Sequence, residues 1–585
     1  MSKTLSRRSF LTGSVATGAL AAVGLAGCSP APAATNADPA PASSTTLDGR
    51  HPWEVYPGDI AESEITETVE QDVVIVGLGA SGSYAATSAV ENGLSVAVLE
   101  RNDTFNANGG SHYMFNAAPF KKIGVEVDVD EAVKDFLNVC NNKVDGAAVW
   151  TWANRAAEAA DWFADVVEPY GLHAVPQHYD DEPITKTYPG TILFIGGENE
   201  PTSAVDQDPY NGDLGLGFVP EVDLLAVLLE HIQKKGAQVY FNHTSERLVK
   251  DESGRVTAVI ASDADGTYKK FVATKGVIVA TGSYCQDPDM QAHYCPIVAN
   301  NPNGDKVALL NTGDGSGIKQ ALWVGAAMQA NGDHPPMMFW GATNCIKNVM
   351  VNSSGKRFID ENSGQSNLAA AQFHQTGGTM VALWNEAYAE QLPAISYRSD
   401  DPSWAAKPEE LRAKWEGLVE AGVFMKADTL DEIAEAYDLP ADALSATVEE
   451  YNGYCAAGVD EAFHKDPATL HELTGPYYAT KYDVPASLAS MGGLHVNARC
   501  EVLTADDQPI EGLYAIGLAA GDFYANQYST RYAGNSLGRC MTFGYLIGRE
   551  LAGLEEGRPQ AGPARRMRAG PGDSTWPAPT PLPRR

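Results

Sequence analysis

The sequence predicts an α/β fold built on a parallel sheet, and three segments carry that prediction. Val73-Val74-Ile75-Val76 is a continuous β-branched run, the pattern of a strand buried on both faces. It leads into Gly77-Leu78-Gly79-Ala80-Ser81-Gly82 and an Ala-rich helical stretch to about Glu91. Val277-Ile278-Val279-Ala280-Thr281-Gly282 is a second buried strand ending in a small-residue turn, and Ile510-Glu511-Gly512-Leu513-Tyr514-Ala515-Ile516-Gly517 repeats that pattern near the C-terminus. One sheet is therefore assembled from both chain ends, with other material inserted. At 585 residues the chain is long enough for two or more folding units.

In chain order, the first residues read as an export signal. Ser6-Arg7-Arg8-Ser9-Phe10-Leu11 places paired arginines before an apolar stretch that runs to Gly27. The pair resembles a twin-arginine signal, whose cargo folds and takes up its cofactor before crossing. Leu25-Ala26-Gly27-Cys28 resembles a bacterial lipobox, so residues 1–28 are expected to be removed up to a lipidated Cys28, with the mature protein anchored on the extracytoplasmic face of the cell envelope. Residues 29–65 are expected to be a flexible linker, rich at first in Ala, Pro, Ser and Thr. The Pro/Arg-rich stretch 556–585 is expected to be disordered.

The strand–glycine–helix segment continues into Ser95-Val96-Ala97-Val98-Leu99 and Glu100, which lies 100 − 82 = 18 residues past the last glycine. The glycines let backbone N–H groups approach a pyrophosphate at a helix N-terminus, and an acid at that spacing accepts from ribose hydroxyls. The turn Gly109-Gly110-Ser111 and the two later strand-to-turn segments favour FAD over a transiently bound NAD, because a long flavin suits a domain built from both chain ends. Thr312-Gly313-Asp314-Gly315-Ser316-Gly317 has its glycines spaced G-x-G-x-G and reads as a turn capping the next helix.

Charge narrows the classes. The 41 Lys+Arg against 75 Asp+Glu give a formal charge of −34, which disfavours sequence-independent nucleic-acid binding. Apart from Cys28, the cysteines are Cys140, Cys285, Cys295, Cys345, Cys455, Cys500 and Cys540, with no C-x-x-C pair. They read as buried thiols, not as iron–sulfur, zinc or haem ligands.

From about residue 70 to 553 the chain resembles the soluble fumarate reductase flavoproteins and their relatives, which include urocanate reductase and the 3-ketosteroid dehydrogenases. The resemblance rests on the glycine fingerprint with Glu100, Ala280-Thr281-Gly282, Thr312–Gly315, Val351–Phe358 with Glu361, Met491-Gly492-Gly493-Leu494, Gly512–Gly517, Arg531–Gly538 and Met541-Thr542-Phe543-Gly544. It implies a Rossmann-like FAD-binding domain with an inserted α+β capping domain: 70–350 and 476–553 for the FAD domain, 351–475 for the cap. It also implies FAD contacts at Gly77, Gly79, Ala80, Ser81, Gly82, Glu100, Arg101, Gly109, Gly110, Ser111, Ala280, Thr281, Gly282, Asp314, Gly517, Asn535, Ser536 and Leu537. Family members move a hydride between flavin N5 and a carbon beside an electron-withdrawing group, and the protein orients the alkene and stabilises the developing enolate.

The departures bear on the acceptor. Arg531 falls on the family's substrate-clamping arginine, where a planar guanidinium grips a carboxylate or carbonyl. Gln365 falls where the fumarate reductases have the arginine that donates the proton, and a glutamine delivers no proton at neutral pH. Ala489 replaces the substrate-binding histidine and Leu518 the family's glutamate. These losses argue against fumarate and for a larger, flatter acceptor such as an aryl acrylate or enone. Tyr528 is favoured as the acid, with Tyr532 and Tyr113 as competitors, while Gln365 and His374 line the cap side of the pocket. The expected protein is an exported FAD-dependent reductase using a small-molecule alkene as terminal electron acceptor and a separate membrane or envelope electron donor. A 3-ketosteroid-type dehydrogenase and a lipid-tethered, non-catalytic flavin-binding protein remain as alternatives.

Overall fold

In the computed structural model the β-branched run is the end of a strand, Ile65–Val76. The structure describes residues 50–176, 190–196, 219–299, 312–330, 334–339, 348–391, 408–482, 486–528, 532 and 534–555. The strand sits inside an eight-stranded sheet whose central neighbours are all parallel: Pro509–Ala515, Tyr268–Val279, Ile65–Val76, Val96–Leu99 and Gln238–Tyr240, in that spatial order. Val73 and Ile75 point into one apolar cluster, Val74 and Val76 into the other, and all four are at most 5% exposed. Burial on both faces explains why the segment is apolar throughout instead of alternating. The strand Pro509–Ala515, from the far end of the chain, pairs parallel to Tyr268–Val279, so the sheet is closed by residues hundreds of positions apart.

Two helices cross one face of this sheet almost in backbone contact. They are the helix behind the glycine turn, Ala80–Glu91, and the C-terminal helix, Asn535–Leu551. A Cβ placed on Gly544 would lie 2.5 Å from Tyr84 Cβ, and one on Gly548 2.6 Å from Ala89 N. Ser88 Oγ donates to Tyr545 O at 2.6 Å, a bond that only this close approach permits. Gly548→Val is therefore expected to destabilise the protein by about 1–3 kcal/mol through overpacking; thermal denaturation checks it, and an unchanged midpoint would mean the helices separate easily.

The insertion has its own sheet of four antiparallel strands, ordered Val349–Val351, Met380–Asn385, Tyr477–Tyr482 and Met425–Ala427. Along Met380–Asn385, Met380, Ala382 and Trp384 face one helical layer while Val381 and Leu383 face the other. The strand Tyr477–Tyr482 extends this unit past residue 475, the end expected from sequence, because its pairing is with Met380–Asn385 and not with the FAD-side sheet. The unit joins the body through two strands that pair with each other, Pro336–Phe339 and Ala486–Ser490.

Residues 50–64 are not the free linker expected there. Trp53 is 3% exposed, its carbonyl accepts from Trp323 Nε1 at 2.9 Å, and its ring stacks on His51. A buried indole outweighs the local polar composition. Of the cysteines expected to be buried, five described ones are, but Cys455 is half-buried; Cys345 lies outside the described residues. Residues 1–49, with the arginine pair and Cys28, and the stretch 556–585 also lie outside them.

Candidate functional site

Three of the loop's glycines have different physical reasons. Gly77 has φ +105° and its missing Cβ would lie 2.5 Å from Ala280 O, while at Gly82 it would lie 2.0 Å from Gly77 O. Both are demanded by the chain itself. Gly79 caps the helix, and a Cβ there would meet nothing nearer than Asn106 O at 3.9 Å. Its open side adjoins the helix's unsatisfied N–H groups, the seat expected for a pyrophosphate. Ala80 and Ser81 begin that helix.

Glu100 follows the strand Val96–Leu99 with only 8% exposure. Its carboxylate accepts from Leu78 N at 3.1 Å and from Asn102 N and Nδ2 at 3.0 and 2.9 Å, which fixes the acid beside the glycine turn. Arg101 pairs with Asp314 at 2.5 Å and also donates to Thr312 O. Asp314 in turn accepts from Ser316 N at 3.0 Å at the start of the helix Ser316–Trp323, so Thr312–Gly317 acts as a helix cap. Burial alone would raise the Asp314 carboxyl, but the Ser316 amide and Arg101 hold it below the usual range. At the Ala280-Thr281-Gly282 turn, Thr281 Oγ1 is buried without a hydrogen-bond partner among the described residues.

The C-terminal half meets this loop from the other side. Gly517 has φ +63°, and a Cβ on it would lie 2.4 Å from Ser81 Oγ. Gly109 and Gly110 have positive φ; a Cβ on Gly109 would lie 3.2 Å from Leu537 Cδ1. Tyr113 N donates to Gly534 O at 3.0 Å, and a Cβ on Gly534 would lie 2.6 Å from Ser111 O. Ser111, Ser536 and Leu537 are thus neighbours around the N-terminus of the C-terminal helix, where Asn535 is fully buried. An open helix start, a fixed acid, an orphaned threonine hydroxyl and glycine-lined close approaches fit FAD.

Beyond Asn535 the wall is aromatic. Tyr524 donates to Asn535 Oδ1 at 2.7 Å and packs at a tilt against Tyr528, ring centroids 5.4 Å apart. Tyr532 lies 5.5 Å from Tyr113, and Tyr113 packs on Phe115 and Trp152. The Tyr532 hydroxyl donates to Asp135, which makes it a tether to the helix Val129–Val139 and a weaker candidate acid than its spacing implied. Tyr113 is fully buried among rings, and Tyr528 is 2% exposed. The next residue back, Gln527, donates its amide to Asn367, on the cap helix Gln365–Phe373, so the tyrosine loop and the helix that carries Gln365 meet. His374 follows that helix at its C-terminal end and is exposed. Arg531 lies outside the described residues, as does the side chain of Gln365.

Sequence reasoning missed a polar support beneath the loop. His334 is 1% exposed, its ring would be 2.2 Å from a Cβ on Gly492, and its Nδ1 faces Tyr284 OH at 2.6 Å. Burial pulls the imidazole down to about 4, so it is neutral. Gln329 accepts from Asp522 N at 2.7 Å and donates to Tyr524 O at 2.9 Å, holding the tyrosine loop where Asp522 has φ +56°. Neither residue lies in a motif; only the fold brings them there.

Comparison with known proteins agrees with this geometry. The family described as "FAD binding domain" matches residues 72–537. The chain is 28% identical to the 3-oxosteroid 1-dehydrogenase of Mycolicibacterium smegmatis, over 83% of this chain and 97% of that one. It is 26% identical to the urocanate reductase of Eggerthella lenta, over 83% of this chain and 75% of that one. Among solved structures, the 3-ketosteroid-Δ4-(5α)-dehydrogenase of Rhodococcus jostii RHA1 superimposes with a TM-score of 0.63 at 21% identity, over 84% of this chain and 99% of that one.

Proposed function

The chain belongs to the FAD binding domain family and is an FAD-dependent oxidoreductase acting on CH–CH groups; from that premise we propose that it is an exported reductase of an activated C=C bond. FAD supplies the hydride chemistry when bound. The acceptor is an aryl acrylate or enone, and the observation that carries this is the wall itself: rings of Tyr524, Tyr528, Tyr532 and Tyr113 with Ala489 where a histidine would grip a small dicarboxylate. That a relative acts on urocanate, itself an aryl acrylate, supports the same class.

Each residue has a role in this reading. Gly77, Gly79, Ala80, Ser81 and Gly82 seat the pyrophosphate; Glu100 accepts from the ribose; Arg101 with Asp314, Thr281 with its flanking Ala280 and Gly282, and Gly517 close around the nucleotide. Gly109, Gly110, Ser111, Asn535, Ser536 and Leu537 hold the flavin ring. Arg531 orients the acceptor's carbonyl or carboxylate, Gln365 bounds it from the cap, and Tyr528 delivers the proton to the α-carbon. Tyr528→Phe is expected to keep its FAD and lose about 100-fold in turnover; turnover within a few-fold of wild type would remove Tyr528 from the mechanism.

The 28% identity to a 3-oxosteroid dehydrogenase favours the reverse direction as the second reading. In both, the protein is lipid-anchored at Cys28 outside the cytoplasmic membrane, and the reductase draws electrons from a separate envelope donor. Mass spectrometry of the mature protein tests the anchor: a diacylated cysteine at its N-terminus supports it.

A further inference from the structure

The tyrosine loop is anchored at its first residue by a chain of three side chains that the mechanism above does not use. Asp522 takes φ +56°, a left-handed backbone that costs an aspartate energy and has to be held in place. Its N–H donates to Gln329 Oε1 at 2.7 Å, and its carbonyl accepts from Asp145 N at 2.7 Å. Its carboxylate Oδ2 accepts from Val496 N at 3.0 Å and lies 2.6 Å from His495 Nδ1. The other ring nitrogen of His495, Nε2, lies 2.8 Å from Asp507 Oδ1. Asp507 stands on the turn between the strands Glu501–Leu503 and Pro509–Ala515. Side-chain exposure falls from 18% at Asp507 through 12% at His495 to 5% at Asp522, so the chain runs from solvent to the buried base of the loop.

A contact this short between a ring nitrogen and a carboxylate oxygen needs a proton between them, so the two contacts need two protons. A neutral imidazole between two carboxylates brings one. Because an imidazole is more basic than a carboxylate, the second proton belongs to the ring. Neither Asp507 nor Asp522 pairs with a Lys or Arg among the described residues, which leaves His495 as the cation for both. Asp145, whose N–H meets Asp522, is a third acid here. Its carboxyl is raised chiefly by burial, with the Asp522 charge adding to the effect and His495 opposing it. His334 also feels Asp522 but is pulled down to about 4 by burial, so it supplies no charge. Three acids around one imidazole favour its charged form.

We propose that His495 is a positioning residue: held doubly protonated between Asp507 and Asp522, it pins Asp522, and through Gln329 and Tyr524 the segment that carries Tyr528. This rests on the role given above to Tyr528, but the test reads protonation and loop opening instead of turnover, so its failure is distinct from a failure of that role. The tie is complete while the proton is bound and is lost as pH rises through the ring's raised value. The holoenzyme is labelled with heavy nitrogen in its histidine rings for magnetic resonance. His495 is assigned by its absence from His495→Gln or, should that variant not fold, by the ring that Asp507→Asn shifts. At about pH 7.5, roughly a unit above the ordinary imidazole value, both ring nitrogens of His495 are expected to carry protons. One bare nitrogen would overturn the proposal. Hydrogen exchange of residues 522–528 then follows the loop. Asp507→Asn keeps a residue type that accepts φ +61° and removes only the charge. It is expected to weaken proton binding at His495 about tenfold, so the loop opens about one pH unit lower than in wild type. Opening at the same pH in both proteins, or increased equally at every pH in the variant, would make the contact merely structural and overturn the proposal.

Discussion

Gly77→Ala will give a protein that carries no FAD and unfolds well below wild type. The substituted residue would have to hold φ +105° and place its Cβ 2.5 Å from Ala280 O and 3.2 Å from Thr281 Cα, both backbone atoms of the neighbouring strand end. Neither can move without breaking the Ala280 N–H bond to Val76 O that registers the two strands. Strain at a disallowed φ and overpacking together cost about 3 kcal/mol or more. Gly79→Ala is the control, because its Cβ enters open space and meets only Asn106 O at 3.9 Å. That variant is expected to keep its stability and lose flavin affinity alone. Thermal denaturation and flavin absorbance of the two proteins separate a crowded backbone from a crowded ligand.

The second large effect lies in the inserted unit. Glu361 is completely buried, accepts from Arg357 at 2.7 and 2.8 Å, and lies 3.5 Å from Lys465 Nζ. Arg357 also donates to Asp460 at 2.8 Å, and Lys465 donates to Asn348 O at 2.5 Å. Burial pulls the Lys465 amine below its ordinary range, with the Glu361 charge opposing that pull. Glu361→Gln removes the buried charge that faces both Arg357 and Lys465 and is expected to cost about 3–5 kcal/mol in denaturant unfolding. A cost below about 1 kcal/mol would mean the network is solvated and worth no more than a surface pair. The network also predicts acid sensitivity. Burial raises the Asp460 carboxyl, but Arg357 outweighs it and holds the group at about 2. Because the folded value is depressed, the stability it contributes is present above the unfolded value of about 4 and is lost as pH falls toward 2.

How far the sequence foretold the fold depended on the range of the interaction. Val73–Val76, the glycine turn and Glu100 form a local unit, and each residue type follows from a neighbour a few positions away. The strand at Pro509–Ala515 was legible for the same reason, as a repeated local pattern. Residues 50–64 were misread because their order comes from Trp53 meeting Trp323, a contact 270 positions long that composition does not encode. The cap's late boundary has the same origin, since Tyr477–Tyr482 takes its place by pairing with a strand nearly a hundred residues earlier. At the site, Tyr532 was a competitor to the favoured Tyr528 along the chain, and the helix carrying Asp135 holds its hydroxyl elsewhere.

On the proposed function, reduced flavin in this protein is reoxidised by an aromatic or enone alkene. The most direct measurement is anaerobic mixing of the chemically reduced holoenzyme with fumarate, urocanate, cinnamate-type acids and steroid enones, following oxidised-flavin absorbance and the saturated product. The expected result is rapid reoxidation by an aryl acrylate or enone, one alkene saturated per flavin, with fumarate inert. Reduced flavin that persists with every alkene, while the oxidised enzyme is bleached by a saturated ketone, would contradict it and assign the chain as a dehydrogenase.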